Sequence, residues 1–171
     1  MIRKATINDL NQIWALRLKT TELLKTRGID QWQYMEPSID QFRSDIEKET
    51  FYVCDQGGKI VGMMFIMEEI EETYDHIDGA WHIDKPYITI HRLAVDKDYL
   101  GIGLADKLME FSEMYALTKR VGSIRIDTHK DNHQAQRLFL KHGYQYCGII
   151  TLEEKVQGDR LRLAYDLKIG V

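Results

Sequence analysis

The segment YITIHRLAVDKDYLGIGLADKLMEFSEMYAL, Tyr87 to Leu117, constrains the fold most, because it joins a strand to an amphipathic helix through a glycine turn. Tyr87, Thr89, His91, Leu93 and Val95 alternate with Ile88, Ile90, Arg92 and Ala94, and β-branched and aromatic residues abound, which is a strand pattern. Leu104, Leu108, Phe111 and Tyr115 then recur at helical spacing and predict an apolar stripe packed on a sheet. Between the two, Gly101-Ile102-Gly103 removes side chains where a helix start leaves N–H groups without partners and adds the positive end of its dipole. Such a turn suits an anion, and a pyrophosphate in particular. Two glycines in a strand-to-helix connection also serve as plain turn chemistry, so the motif does not decide by itself.

Two nucleotide-binding patterns can be compared with it. A dinucleotide fingerprint G-x-G-x-x-G needs a third glycine, but Asp106 stands there, although Asp127 lies near the place of the ribose-binding acid. A phosphate loop ending in Gly-Lys-Ser or Gly-Lys-Thr is absent from the sequence.

The 171 residues, 44% apolar with a formal charge of −4, have the size of one domain, residues 1–171, with a real core. Mild acidity argues against nucleic acid as a partner and favours a small cationic one. No apolar run reaches membrane-spanning length, so the expectation is a cytoplasmic protein without a membrane partner. Cys54 and Cys147 form no C-x-x-C pair and read as core thiols in strands. His129 and His133 have i, i+4 spacing, but Asp131 and Asn132 between them point to a turn, and no metal site is read here.

Along the chain, Ile2 to Ala5 read as a strand, and Thr6 with Asp9 as a capping box for a helix with Leu10, Ile13, Trp14, Arg17 and Leu18 on one face. Gly28 stops that helix, and Pro37 precedes a second with Ile39, Phe42 and Ile46 inward. Phe51 to Asp55 and Ile60 to Met67 form a hairpin about Gln56-Gly57-Gly58-Lys59. Glu68 to Asp84 reads as an acidic, irregular insertion with Trp81 near its end. Ser123 to Thr128 is a strand, Gln134 to His142 a helix ending at Gly143, and Tyr144 to Leu152 with Arg160 to Leu167 a final antiparallel pair. The order predicts a mixed α/β fold rather than a strict parallel repeat.

These residues resemble the GNAT superfamily of acyl-CoA N-acyltransferases. The family's R/Q-x-x-G-x-G/A turn corresponds to Leu100-Gly101-Ile102-Gly103-Leu104-Ala105, with Leu100 in place of the usual Arg or Gln. IDTHKDNHQAQRLFLKHGY, Ile126 to Tyr144, resembles the family's strand, asparagine loop, short helix and closing Gly-Tyr, and the opening IRKATINDL resembles family N-termini. The resemblance covers essentially the whole chain. It implies a mostly antiparallel central sheet with helices on both faces, acetyl-CoA as acyl-donor cosubstrate, and transfer to the amine of a small molecule or peptide by direct attack in a ternary complex. A homodimer is left open.

By the same resemblance, Leu93, Ala94 and Val95 offer main-chain partners to the pantetheine arm, which lies as an extra strand beside this one, and the N–H near Leu93 polarises the thioester carbonyl. Gly101, Ile102, Gly103, Leu104, Ala105 and Asp106 hold the pyrophosphate. Asn132, Ala135 and Phe139 line the cofactor arm, with Phe139 where many members carry a tyrosine that protonates the thiolate. Thr89 stands where some members carry a catalytic Glu. An amine that is mostly protonated at neutral pH needs a base, and Glu68, Glu69, Glu71 and His91 are available, with Glu68 and His91 put first. Trp32 and Trp81 are candidate walls of the acceptor site. The rival readings are a non-catalytic acyl-CoA sensor, on the strength of Phe139 and Thr89, and a Rossmann-like oxidoreductase, on Gly101, Gly103 and Asp127.

Overall fold

The computed structural model describes residues 1–84 and 86–170. In chain order the elements are β1 (Ile2–Lys4), α1 (Leu10–Thr26), α2 (Ile39–Glu47), β2 (Phe51–Gln56), β3 (Lys59–Met67), β4 (Ile77–Gly79), β5 (Tyr87–Val95), α3 (Leu104–Thr118), β6 (Ser123–Thr128), α4 (His133–Lys141), β7 (Gln145–Thr151) and β8 (Leu161–Lys168). Short 3₁₀ turns lie at Ile7–Asp9, Glu72–Asp75 and Lys97–Tyr99. The strands run in the order β1-β2-β3-β5-β6-β8-β7-β4. β5 and β6 pair in parallel, whereas β1–β2, β2–β3, β6–β8, β7–β8 and β4–β7 are antiparallel. This is the mixed, mostly antiparallel α/β fold expected, and it differs from a Rossmann frame, whose sheet is mostly parallel.

The chain divides into two compact units, Met1–Ile66 with His91–Leu108 and Met67–Ile90 with Met109–Val171. In the first, the Asp9 carboxylate accepts two bonds of 2.8 Å from the Arg3 guanidinium and one of 2.8 Å from the Thr6 N–H, fixing the entry to α1. α1 buries Leu10, Ile13, Leu16, Arg17 and Leu24. Leu18, expected on that face, is exposed, because it lies about 140° around the helix from the buried Ile13. Gly28, in the left-handed region at φ 71°, ends the helix as its sequence position suggests. Ser38 and Gln41 then form a reciprocal capping box at the start of α2. Gly57 and Gly58 both have positive φ, which a two-residue hairpin between β2 and β3 requires.

The core of this unit is aromatic. Phe42, fully buried, lies 6.1 Å from Phe51 and meets Trp14 and Trp32 edge-on, and Phe51 stacks on Phe65. Arg17 is 2% exposed and donates to the carbonyls of Trp32, Tyr34, Glu36 and Pro37, with its guanidinium also over the Trp14 and Trp32 rings. A buried cation thus organises the segment between α1 and α2 through main-chain dipoles.

In the second unit, the acidic stretch after β3 is more regular than its composition suggests. Glu71 accepts from the Thr73 N–H to cap the 3₁₀ turn, and β4 pairs with Gly148, Ile149 and Ile150 of β7. Tyr74, Ile150 and Ala164 form a buried cluster flanked by Ile77, Trp81, Tyr87 and Leu152. Trp81 donates its Nε1–H to the Tyr74 carbonyl and packs 5.0 Å from the Tyr74 ring, which the composition of the insertion does not signal. Among the described residues, no helix is long and apolar enough to cross a membrane.

Phe42→Ala is expected to lower the unfolding free energy by about 3–5 kcal/mol. The measurement is the midpoint of chemical denaturation at unchanged slope, and a loss below about 1 kcal/mol contradicts the central packing role of this ring.

Candidate functional site

The turn entering α3 is built from Asp96 outward. Asp96 is 4% exposed, its N–H donates to the Val61 carbonyl at 2.8 Å, and its carbonyl accepts from the Tyr99 N–H at 2.8 Å. Its Oδ1 accepts from Lys19 Nζ at 2.8 Å and from the Asp98 N–H at 2.9 Å. Lys19 also reaches Asp98, at 2.7 Å. Burial acts to raise the Asp96 pKa, but the Lys19 ammonium and the Asp98 N–H outweigh it and hold the carboxyl below its ordinary value.

Beyond this anchor the chain opens. Gly101 (φ 79°) and Gly103 (φ 84°) are both left-handed, and apart from their chain neighbours nothing lies within 4 Å of where their Cβ atoms would stand. The glycines are needed here for conformation, and the space beside them is unfilled. Ile102 and Leu100 point outward, at 58% and 44% exposure, and do not plug the turn. The Lys107 N–H closes the first helical bond, to the Gly103 carbonyl at 3.0 Å, so the amides before it lie at the open end of α3. A pocket of ≈ 190 Å³ is lined here by Val95, Tyr99, Gly101, Gly103, Leu104 and Asp106 among others, so most of the expected pyrophosphate residues come together.

The strand leading into the turn carries an irregularity that alternation does not announce. Arg92 sits in the left-handed region at φ 58°, so the expected two-face pattern is interrupted in mid-strand. Its Nε donates to Asp45 Oδ2 at 3.0 Å and its guanidinium lies 5.5 Å from the centre of the Phe42 ring. Burial pushes the Asp45 carboxyl up, opposed by Arg92. Around Arg92, His91, Leu93 and Val95 are half-buried and Ala94 is buried. Ladder pairing of β5 with β6 covers Tyr87, Ile88 and Thr89 alone, so Leu93 to Val95 lie beyond that ladder.

The remaining expected site residues belong to the second unit. Glu68 accepts from the Tyr115 hydroxyl and lies 3.5 Å from Lys119 Nζ. Thr89 is fully buried. Asn132 caps α4, its Oδ1 accepting from the Ala135 N–H at 3.2 Å. Phe139 is buried against Tyr144 and Tyr165 and brings no hydroxyl. Burial pushes the Tyr144 hydroxyl well up, which makes it a poorer acid, and Tyr146 is half exposed. Asp127 accepts the Tyr74 hydroxyl at 2.6 Å, a structural role for the residue that a dinucleotide fingerprint would have used. Trp32 belongs to the first unit, against Arg17 and Phe42, and Trp81 to the second, against Tyr74 and Arg125.

The family model described as the acetyltransferase (GNAT) family matches residues 12–144, and the chain belongs to that family. It is similar to a crystallised GNAT-family acetyltransferase of Streptococcus agalactiae 2603, with 31% identity, a TM-score of 0.86, and coverage of 100% of this chain and 95% of that one. A putative acetyltransferase of Staphylococcus aureus Mu50 is 28% identical, with a TM-score of 0.75 and 98% of each chain covered. YesJ of Bacillus subtilis (strain 168), named as an uncharacterized N-acetyltransferase, is 26% identical over 149 residues, which is 84% of this chain and 81% of that protein.

The depressed Asp96 pKa has a defined consequence. A group bound more tightly as its carboxylate contributes stability above its unfolded pKa, near 4, and loses it as pH falls through the lower folded value. The carboxyl carbon resonance of Asp96 is therefore expected to titrate with a midpoint below 3.8, the ordinary value, and to be missing from Asp96→Asn. A midpoint above 4 contradicts the anchor.

Proposed function

We propose that the protein is an N-acetyltransferase that uses acetyl-CoA and passes the acetyl group to the amine of a small molecule or peptide in a ternary complex. The observation that carries this reading is the unplugged glycine turn at the start of α3, with its adjoining pocket, in a chain of the acetyltransferase family. The coenzyme A pyrophosphate would accept from amides of Gly101 to Asp106, helped by the positive end of the α3 dipole. Leu93, Ala94 and Val95 would pair their main chain with the pantetheine amides, and an N–H near Leu93 would take up charge from the tetrahedral oxygen. Asn132, Ala135 and Phe139 complete the proposed cofactor contacts.

The acceptor amine attacks the thioester carbon as a free base, the C–S bond breaks, and the amine proton and the thiolate charge must both be accommodated. We assign amine deprotonation to Glu68 and His91. The Tyr115 hydroxyl on Glu68 gives that carboxylate a hydrogen-bonded neighbour through which a proton can be relayed. With Phe139 in the tyrosine position, the leaving thiolate takes its proton from water.

Titration calorimetry with acetyl-CoA and with NAD separates this reading from an oxidoreductase: saturable binding of acetyl-CoA alone is expected, and saturable binding of NAD alone overturns it. Gly103→Glu places a carboxylate at the cradle, and at roughly 4 Å from a phosphate its repulsion is up to about 4 kcal/mol. Binding is expected to fall by more than about 100-fold with the circular dichroism spectrum unchanged, and undiminished affinity counts against the cradle. Steady-state kinetics over a panel of amines should show the Glu68→Gln/His91→Ala double variant reduced about 10²- to 10⁴-fold in kcat. Full activity in that variant removes both residues from the proton path, and tight acetyl-CoA binding with no product from any amine favours the sensor reading.

A further inference from the structure

Three chemically active side chains outside the proposed transfer site converge in the second unit. His82 Nδ1 lies 3.1 Å from Asp166 Oδ1 and 3.2 Å from Cys147 Sγ. Cys147 and Asp166 are 7% and 1% exposed, whereas the His82 side chain is 44% exposed, so the cluster has a buried floor and an open side. One Nδ1 proton cannot serve both neighbours. The thiol also lies 3.4 Å from the Gln145 carbonyl.

The local backbone is arranged around this meeting. The β7–β8 register shifts between Tyr146 and Gly148, so Cys147 is the extra residue of a bulge, a feature that re-aims side chains. Gly79 and Gly148 pair across β4 and β7 with φ of 134° and 144°, and a Cβ on either would stand 2.2 Å from a facing carbonyl oxygen. Only this glycine pair lets the chain after β4 approach β7, where the Ala80 N–H donates to the Cys147 carbonyl at 3.0 Å. Asp166 Oδ2 then accepts from the His82 and Ile83 amides at 2.8 and 3.1 Å, orienting the carboxylate while Oδ1 faces the ring.

We propose that His82 Nδ1, Cys147 Sγ and Asp166 Oδ1 bind one divalent ion of zinc type, with water entering beside His82 as the fourth ligand. Tetrahedral zinc with ordinary bond lengths separates N and O ligands by about 3.3 Å and N and S ligands by about 3.6 Å. The imidazole nitrogen therefore needs to move only a few tenths of an ångström from each neighbour, and all three donor atoms lie within 4.8 Å of one another. Mixed sulfur, nitrogen and oxygen donors select a borderline ion over calcium or magnesium, which prefer oxygen alone. On binding, the Cys147 thiol gives its proton to solvent and the imidazole keeps its proton on Nε2. The thiolate and carboxylate neutralise the ion. Arg125, the cross-strand partner of Asp166, is the opposing charge nearby, stacked between the Trp81 and Tyr87 rings and donating to the Ile83 carbonyl. The ion would pin the Ala80–Ile83 segment to the β7–β8 pair.

Chelator-treated protein titrated with Co²⁺ tests this without reference to acetyl transfer. One equivalent is expected to produce a near-ultraviolet thiolate-to-cobalt band that Zn²⁺ displaces. Cys147→Ser abolishes the band, and His82→Ala, at an exposed position, weakens binding by about 100-fold. Zn²⁺ raises the Tm of the wild type and not of the Cys147→Ser variant. No band in folded wild type, a band of equal strength in Cys147→Ser, or unchanged affinity in His82→Ala overturns the proposal.

Discussion

The turn that opens α3 depends on one buried carboxylate. Asp96 joins Lys19 of α1, the Val61 carbonyl of β3 and the amides of Asp98 and Tyr99. The Val61 and Tyr99 bonds are made by its main chain, while Lys19 and the Asp98 N–H hold the carboxylate ionised although it is nearly sealed from water. With the chain fixed there, Gly101 and Gly103 can take left-handed conformations a few residues on without closing over the helix start. The openness of the cradle thus rests on rigidity just upstream of it.

One buried cation and one half-buried cation show how the first unit handles charge. Arg17 is held by carbonyls, and Arg92 by Asp45 and the face of Phe42. Both use the guanidinium fork and its affinity for aromatic faces, which an ammonium does not supply. Arg92 also carries the left-handed kink in β5, so its ion pair and the strand irregularity stand or fall together.

Much of this was legible in the sequence. Hairpin glycines, helix caps and the strand–glycine–helix passage all act locally, so Gly57-Gly58, Gly28 and Gly101-Ile102-Gly103 announce themselves. What stayed hidden depends on residues far apart along the chain. Nothing near Arg92 signals Asp45, and nothing near Arg17 signals the four carbonyls it gathers. Alternation placed β5 correctly but could not show its kink, because a left-handed Arg carries no compositional mark. The acidic composition of residues 68–84 masked a three-residue strand, whose pairing is set by the opposed Gly79 and Gly148. His82, Cys147 and Asp166 share no spacing rule, since His82 lies 65 and 84 positions from the other two.

In the proposed function, main-chain amides opening α3 grip a diphosphate. The most direct test follows the backbone amide resonances as acetyl-CoA is added. The amides of Gly101 to Asp106 are expected to shift most, together with those of Leu93 to Val95, and 3′,5′-ADP is expected to reproduce only the first set in part. Saturable binding that leaves the Gly101–Asp106 amides unmoved contradicts it.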